Sequence, residues 1–234
     1  MKIKKIFKIP FILLFSLLFL LLTKVKFGPI LGTKMGFSFS VFLGPTFGKI
    51  FGIGWGTGVI VLTHLTGIAL GLYKLETIKN IFTFLPIIFA GIYFSKIFKG
   101  EKKLIFLPAL CILFFILHPI GRTVWFYSGF WLIPISISLF KEKLDKLFRL
   151  PVFKIYGYSL GSAFVDHAMG SVIYLYLLNI PAHFWIQAVP LTIIERLMIA
   201  GGISFCYSAQ LLFIKVFQKA SVFAKLRKLV FARV

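Results

Sequence analysis

Between Ile9 and Leu22, and again between Leu104 and His118, the chain carries no charged side chain, and it holds only six carboxylates in 234 residues. A soluble domain of this length needs far more polar surface to face water. Hydrophobic residues make up 59% of the sequence and the mean hydropathy is +0.98. These runs therefore predict an all-α, polytopic transmembrane helix bundle, a multi-pass protein of a prokaryotic plasma membrane.

The formal charge of +21 follows from the same setting. The basic residues, mostly lysine, gather in four groups: Lys2–Lys8, Lys96–Lys103, Lys141–Lys154 and Lys215–Arg233. Cytoplasmic retention of Lys and Arg produces this pattern, and each basic residue near anionic lipid gains about 1 kcal/mol. No zinc-ligand spacing, phosphate-binding loop or RNA-binding aromatic signature accompanies the charge, so membrane lipid is the expected partner and nucleic acid is not. Cys111 and Cys206 lie within apolar segments and read as small hydrophobes, with no metal site or cofactor implied.

Breaks in hydropathy divide the chain into apolar segments at 9–24, 32–47, 50–73, 79–97, 104–119, 123–140, 155–179 and 187–215. Several are shorter than the roughly 20 residues that a crossing helix needs. The second is the most broken, with Gly32, Gly36, Gly44 and Pro45, and reads as a half-helix or re-entrant piece. Placing every basic group in the cytoplasm requires an even number of crossings between groups. That gives eight helices, or six if segment two and one neighbour fall short, with both termini cytoplasmic. The basic start and apolar run at the N-terminus lack a small-x-small cleavage site after Leu22, so a retained first helix is expected. Residues 1–234 form one membrane domain, and 224–234 (AKLRKLVFARV) read as a basic amphipathic tail on the inner leaflet.

Gly44, Gly48, Gly52 and Gly56 recur every four residues. On one helix they would form a flat strip where another helix approaches closely, and they are the expected partner-docking residues. The same topology sorts the polar residues by depth. Arg122, Trp125, Tyr127, Asn179, His183, Trp185 and Gln187 fall near the outer ends, with Trp125, Trp131 and Trp185 as interfacial anchors. His64, Asp166, His167, Glu195 and Arg196 fall deeper. Ionisable groups at depth cost about 2.5 kcal/mol or more, so they pair or line a pathway. Asp166 and His167 serve ligand contact or proton relay, or else a structural hydrogen bond to a neighbouring helix. Glu195 and Arg196 serve either an ion pair between helices or a solute contact. Arg122 is a solvated loop residue or a fork for an anionic group. The expected substrate-binding set is Arg122, Trp125, Asp166, His167, Asn179, His183 and Glu195. No catalytic residue is assigned: Gly157-Tyr158-Ser159-Leu160-Gly161 matches G-x-S-x-G but opens an apolar helix instead of a strand-to-helix turn.

Residues 35–58, MGFSFSVFLGPTFGKIFGIGWGTG, with Gly44-Pro45, Gly48, Gly52 and Gly56, resemble the substrate-binding (S) components of energy-coupling-factor (ECF) vitamin transporters. Val189–Gly202, with Pro190 and Glu195, resembles the start of that family's final helix. The resemblance covers about forty residues. Two features depart from it: eight segments against the usual six, and no small-residue ladder in Ile9–Leu22, whose place the Gly44–Gly56 strip would take. The resemblance implies a subunit that captures a small, vitamin-like, polar or anionic solute from outside. It would dock on a transmembrane coupling subunit driven by cytoplasmic ATPases. A stand-alone proton- or cation-coupled carrier using Asp166, His167 and His64, a membrane enzyme acting on lipid-linked substrates, and a structural subunit are the competing readings. The sequence leaves open which solute is bound and whether Lys24–Lys34 folds over the site as a lid.

Overall fold

Proline and glycine set most of the breaks between helices. The computed structural model describes residues 3, 5–29, 36–72, 82 and 84–231. Helix α1 (Lys5–Lys24) ends in a two-stranded antiparallel ribbon, β1 (Lys26–Pro29) with β2 (Gly36–Ser38). Gly36 is required there, because a Cβ would lie 2.9 Å from the carbonyl oxygen of Gly28. The short α2 (Ser40–Leu43) then leads through a tight turn, Gly44–Thr46, into α3 (Phe47–Phe51). Gly52, at φ +96°, reverses the chain into α4 (Ile53–Ala69). α5 (Leu85–Ile97) has Pro86 in its first turn, where its missing amide costs nothing.

After α6 (Phe106–Leu117), His118 caps the five-residue α7 (Pro119–Thr123) by accepting from the Ile120 amide. A run of tight turns at Trp125–Trp131 passes into α8 (Leu132–Leu139), and α9 (Lys141–Leu147) is a charged connector. α10 (Pro151–Leu178) starts on proline and stops at Asn179, whose left-handed conformation closes the C-terminus. α11 (Ala182–Phe231) has 50 residues, about 75 Å of helix.

Side-chain contacts fix the helix directions. α1 runs against α3, with Phe15 on Phe51 and Phe19 on Phe47. It runs alongside α4, with Lys8 over Trp55 and Phe19 beside His64. α11 opposes α1 through Phe7–Phe217 and Phe11–Phe213. α10 opposes α5, since Gly161 meets Tyr93 and Gly170 meets Pro86. The basic groups therefore gather at one end: Lys8 lies by Trp55, Phe217, between Lys215 and Lys219 in the chain, packs on Phe7, Lys141 lies beside Gly100 and over Tyr158, and Lys49, outside the groups, lies over Phe98. Lys24, Lys26 and the ribbon lie at the other; Lys2, Lys4 and Lys34 are outside the described residues.

α10 is the central helix. Its stretch Tyr158–Ala168 is buried apart from Leu160, and it packs between α5 and α11. Small residues permit this: the Ser162 hydroxyl donates to the Ala90 carbonyl at 2.8 Å, and Gly161 leaves room for the Tyr93 ring. One apolar cluster joins α1, α3, α4, α5 and α11, and a second, aromatic one joins α6, the Trp125–Trp131 turns, α10 and the start of α11.

The helical class holds, with the small ribbon beside it, and the second segment is broken as read, into β2, the short α2 and the turn at Gly44–Thr46; 32–35 lie outside the described residues, as do 79–81 and 83 of the fourth. Residues 224–231 continue α11 without a break, and 232–234 are outside the described residues. Pro190 lies inside α11, whose start is at Ala182.

The four glycines do not share a helix face, because the chain turns at Gly44 and Gly52. A Cβ on Gly44 would meet Ile87 at 2.4 Å, one on Gly48 the Gly91 carbonyl oxygen at 2.9 Å, and one on Gly56 the Gly48 amide nitrogen at 2.6 Å. Gly44, Gly48 and Gly56 thus close contacts within the chain, and Gly52 makes the turn. They leave no continuous strip for a partner.

Two helices are long and apolar enough to cross a membrane, Phe7–Lys24 and Ala182–Ala220, and Ile53–Ala69, Leu85–Ile97 and Trp125–Leu139 are shorter apolar stretches. α10 is longer than most of these, at 28 residues, but its interior is studded with Ser159, Ser162, Asp166, His167 and Ser171.

Candidate functional site

The polar residues of α10 meet α11 halfway along the bundle. Asp166 lies on the α10 face that continues through Ser159, Ser162 and Gly170, while Thr192, Arg196, Ile199 and Ile203 recur at helical spacing on the buried side of α11. Nη1 of Arg196 donates to Oδ2 of Asp166 at 3.1 Å. Arg196 is 1% exposed, so its charge depends on this partner: a buried guanidinium is tolerated only when paired.

The pairing is incomplete. Nε and Nη2 of Arg196 are buried and take no hydrogen bond among the described residues. Oε2 of Glu195 lies 3.5 Å from Nη2, an ion-pair distance too long for a good hydrogen bond. The Phe37 ring, from β2, covers the flat face of the guanidinium with its centroid 4.8 Å from Cζ. One edge of the guanidinium is thus committed to Asp166 and one face to Phe37. The Nε–Nη2 edge, the geometry that grips a carboxylate or phosphate with two parallel bonds, carries no hydrogen bond among the described residues and only the loose ion pair with Glu195.

His167 heads a second array. The Trp131 indole N–H donates to its Nδ1 at 3.1 Å, and Tyr127 Oη lies 2.9 Å from its Nε2. An indole nitrogen only donates, so Nδ1 accepts and the ring proton sits on Nε2. Nε2–H then donates to Tyr127, whose hydroxyl proton is directed to Thr192 Oγ1 at 2.9 Å. A second proton on the ring would break the bond from Trp131. His167 is therefore fixed as a neutral imidazole that orients Tyr127, not as a relay.

Of the expected substrate-binding residues, Asp166, His167 and Glu195 come together. Arg122, Trp125, Asn179 and His183 do not join them: Arg122 is exposed on α7, Trp125 is 63% exposed, Asn179 serves the end of α10, and His183 is exposed beside Phe184. His64 bonds the Ile60 carbonyl and packs on Phe19 and Phe84. Trp131 and Trp185 are buried, not interfacial, and Trp185 donates to the Ile180 carbonyl.

Ser159 of the G-x-S-x-G match is fully buried inside α10, and its hydroxyl has no hydrogen-bond partner among the described residues. Among the described residues no group of three or more His, Cys, Asp or Glu is placed to hold a metal ion.

Of the site-forming residues, sequence reading passes over Phe37 and Thr192, places Tyr127 near the outer ends and Trp131 there as an anchor, and leaves Arg196 out of the substrate-binding set. Thr192 and Arg196, four apart after Pro190, carried a helical signal. The others depend on which helices pack together. Compared with known protein families, with curated proteins and with solved structures, the chain matches none.

Proposed function

We propose that the chain is a membrane-embedded solute-capture subunit, taking up a small polar solute with an anionic group and energised by separate partners. The open Nε–Nη2 edge of Arg196 carries this reading: a buried cation with unsatisfied donors is costly unless something completes it. The surroundings support it. Exposed apolar side chains run along α1 (Leu13, Leu17, Leu21), α6 (Phe106, Leu110, Leu113) and α11 (Ile193, Leu197, Phe205, Leu212), a surface that suits lipid and not water. The basic groups at one end suit a cytoplasmic face, which puts both termini inside and the ribbon outside, over Arg196. In this arrangement the connectivity has eight crossings, two of them made of short, broken helices.

The count exceeds the six helices usual in ECF S components, but resemblance to them names the partners of this reading, a transmembrane coupling subunit and cytoplasmic ATPases in a prokaryotic plasma membrane. With the glycines spent on internal packing, docking falls to other surfaces. The proton-coupled carrier is less favoured, since the bond from Trp131 holds His167 neutral.

The test is mild-detergent isolation from the native host. Recovery of a coupling subunit with ATPases supports the reading. Uptake by the purified chain alone in proteoliposomes contradicts it.

A further inference from the structure

The inventory of open groups at Arg196 says more about the solute, if the capture reading above holds. Arg196 has two buried donors that take no hydrogen bond among the described residues, Nε and Nη2, the second held only loosely by Glu195 at 3.5 Å. Beside them stand acceptors: Oδ1 of Asp166 takes no hydrogen bond among the described residues, and the Glu195 carboxylate reaches Arg196 only loosely, at 3.5 Å. Two carboxylates face one guanidinium, and His167, held by Trp131, adds no charge. Counted formally, with both carboxylates ionised, the site has one negative charge in excess.

A plain anion would use the open edge but deepen that excess in a place where charges must be balanced. A plain cation would balance Glu195 but leave the buried Nε and Nη2 unsatisfied. We propose that the solute is amphoteric, with a carboxylate on the Nε–Nη2 edge of Arg196 and an ammonium or other cationic group between Asp166 and Glu195. The neighbouring side chains are aromatic: Phe37 lies over the guanidinium, and Tyr127 and Trp131 flank His167. An aromatic amino acid is the simplest compound with all three features.

The full chain in mild detergent is titrated with L-phenylalanine, with phenethylamine, which lacks the carboxylate, and with 3-phenylpropionate, which lacks the ammonium. The unfolding temperature is the readout. L-Phenylalanine binds at least tenfold more tightly than either analogue, and in Glu195→Gln, a partly exposed position that leaves the Arg196–Asp166 pair intact, the discrimination against 3-phenylpropionate shrinks about tenfold. Equal or tighter binding of 3-phenylpropionate to the unaltered chain overturns the inference and leaves the capture reading standing, as a simple-anion site. Equal binding of phenethylamine overturns it in favour of a cation site. If none of the three binds, the inference falls. The capture reading then falls with it only if the chain isolated from its host also carries no small molecule.

Discussion

Arg196 and Asp166 meet across α11 and α10 at 3.1 Å, and that bond uses only one of the three nitrogens of a fully buried guanidinium. The pair holds the two longest helices together at mid-height. It also leaves the site unfinished, which is why the same contact has a structural and a functional reading.

The structural part is separable. Asp166→Asn strands a buried cation and is expected to cost about 3–5 kcal/mol. The double change Asp166→Asn with Arg196→Gln removes both charges and costs less than the single changes added together, by about 1–3 kcal/mol. Thermal unfolding of the four proteins in one detergent measures this coupling, and simple additivity would count against a direct pair.

Trp131 and Trp125 test the histidine array. Trp131→Phe removes the donor to Nδ1 of His167, leaves a buried acceptor unsatisfied and costs about 1–3 kcal/mol. Nitrogen NMR of His167 should then show mixed tautomers in place of the single Nε2–H form. Trp125→Phe, at a residue 63% exposed, leaves both readouts within experimental error.

The glycines divide by what a methyl group would meet. Gly56→Ala puts a Cβ 2.6–2.8 Å from the backbone of Phe47 and Gly48, and overpacking of this kind costs about 1–3 kcal/mol. Gly58 has nothing within 4 Å, so Gly58→Ala is neutral or gains up to about 1 kcal/mol of helix propensity. Equal effects on unfolding temperature would argue against the α3–α4 hairpin.

How far the sequence could be read is clear from these same residues. Charge-free runs and basic groups outlined α1, α4, α5, α10 and α11 because a long apolar run needs little beyond its length to be read as a helix. The four-residue glycine period misled, since periodicity assumes an unbroken helix and cannot register the reversal at Gly52. Asp166 and Glu195 stood out because ionisable residues are rare in apolar segments. Arg196 was read beside its sequence neighbour Glu195, whereas its main partner comes from α10. Phe37 and Trp131 had no local signal: an aromatic residue that will cover a guanidinium looks the same in sequence as one that will face lipid.

At the basic end, Asp145 on α9 receives hydrogen bonds from Lys141, at 2.6 Å, and from the Tyr158 hydroxyl. Partial burial raises its carboxyl, but those two bonds and the charge of Lys141 outweigh it and hold the group below its ordinary value. Its stabilisation is therefore fully present above the unfolded value of about 3.9 and lost as pH falls through the lower folded value. Asp145→Asn should flatten that part of the acid-unfolding profile and leave stability at pH 7 reduced but independent of pH over the same window. A profile unchanged by the substitution would exclude the contact.

The most direct test of the central claim is the small-molecule content of the chain isolated from its host in mild detergent, measured by mass spectrometry against the charge-neutral double variant Asp166→Asn, Arg196→Gln. The account predicts a near-stoichiometric polar solute on the unaltered chain and none on the double variant that still folds. Equal content in the two proteins, or none in either, would contradict a solute site at Arg196.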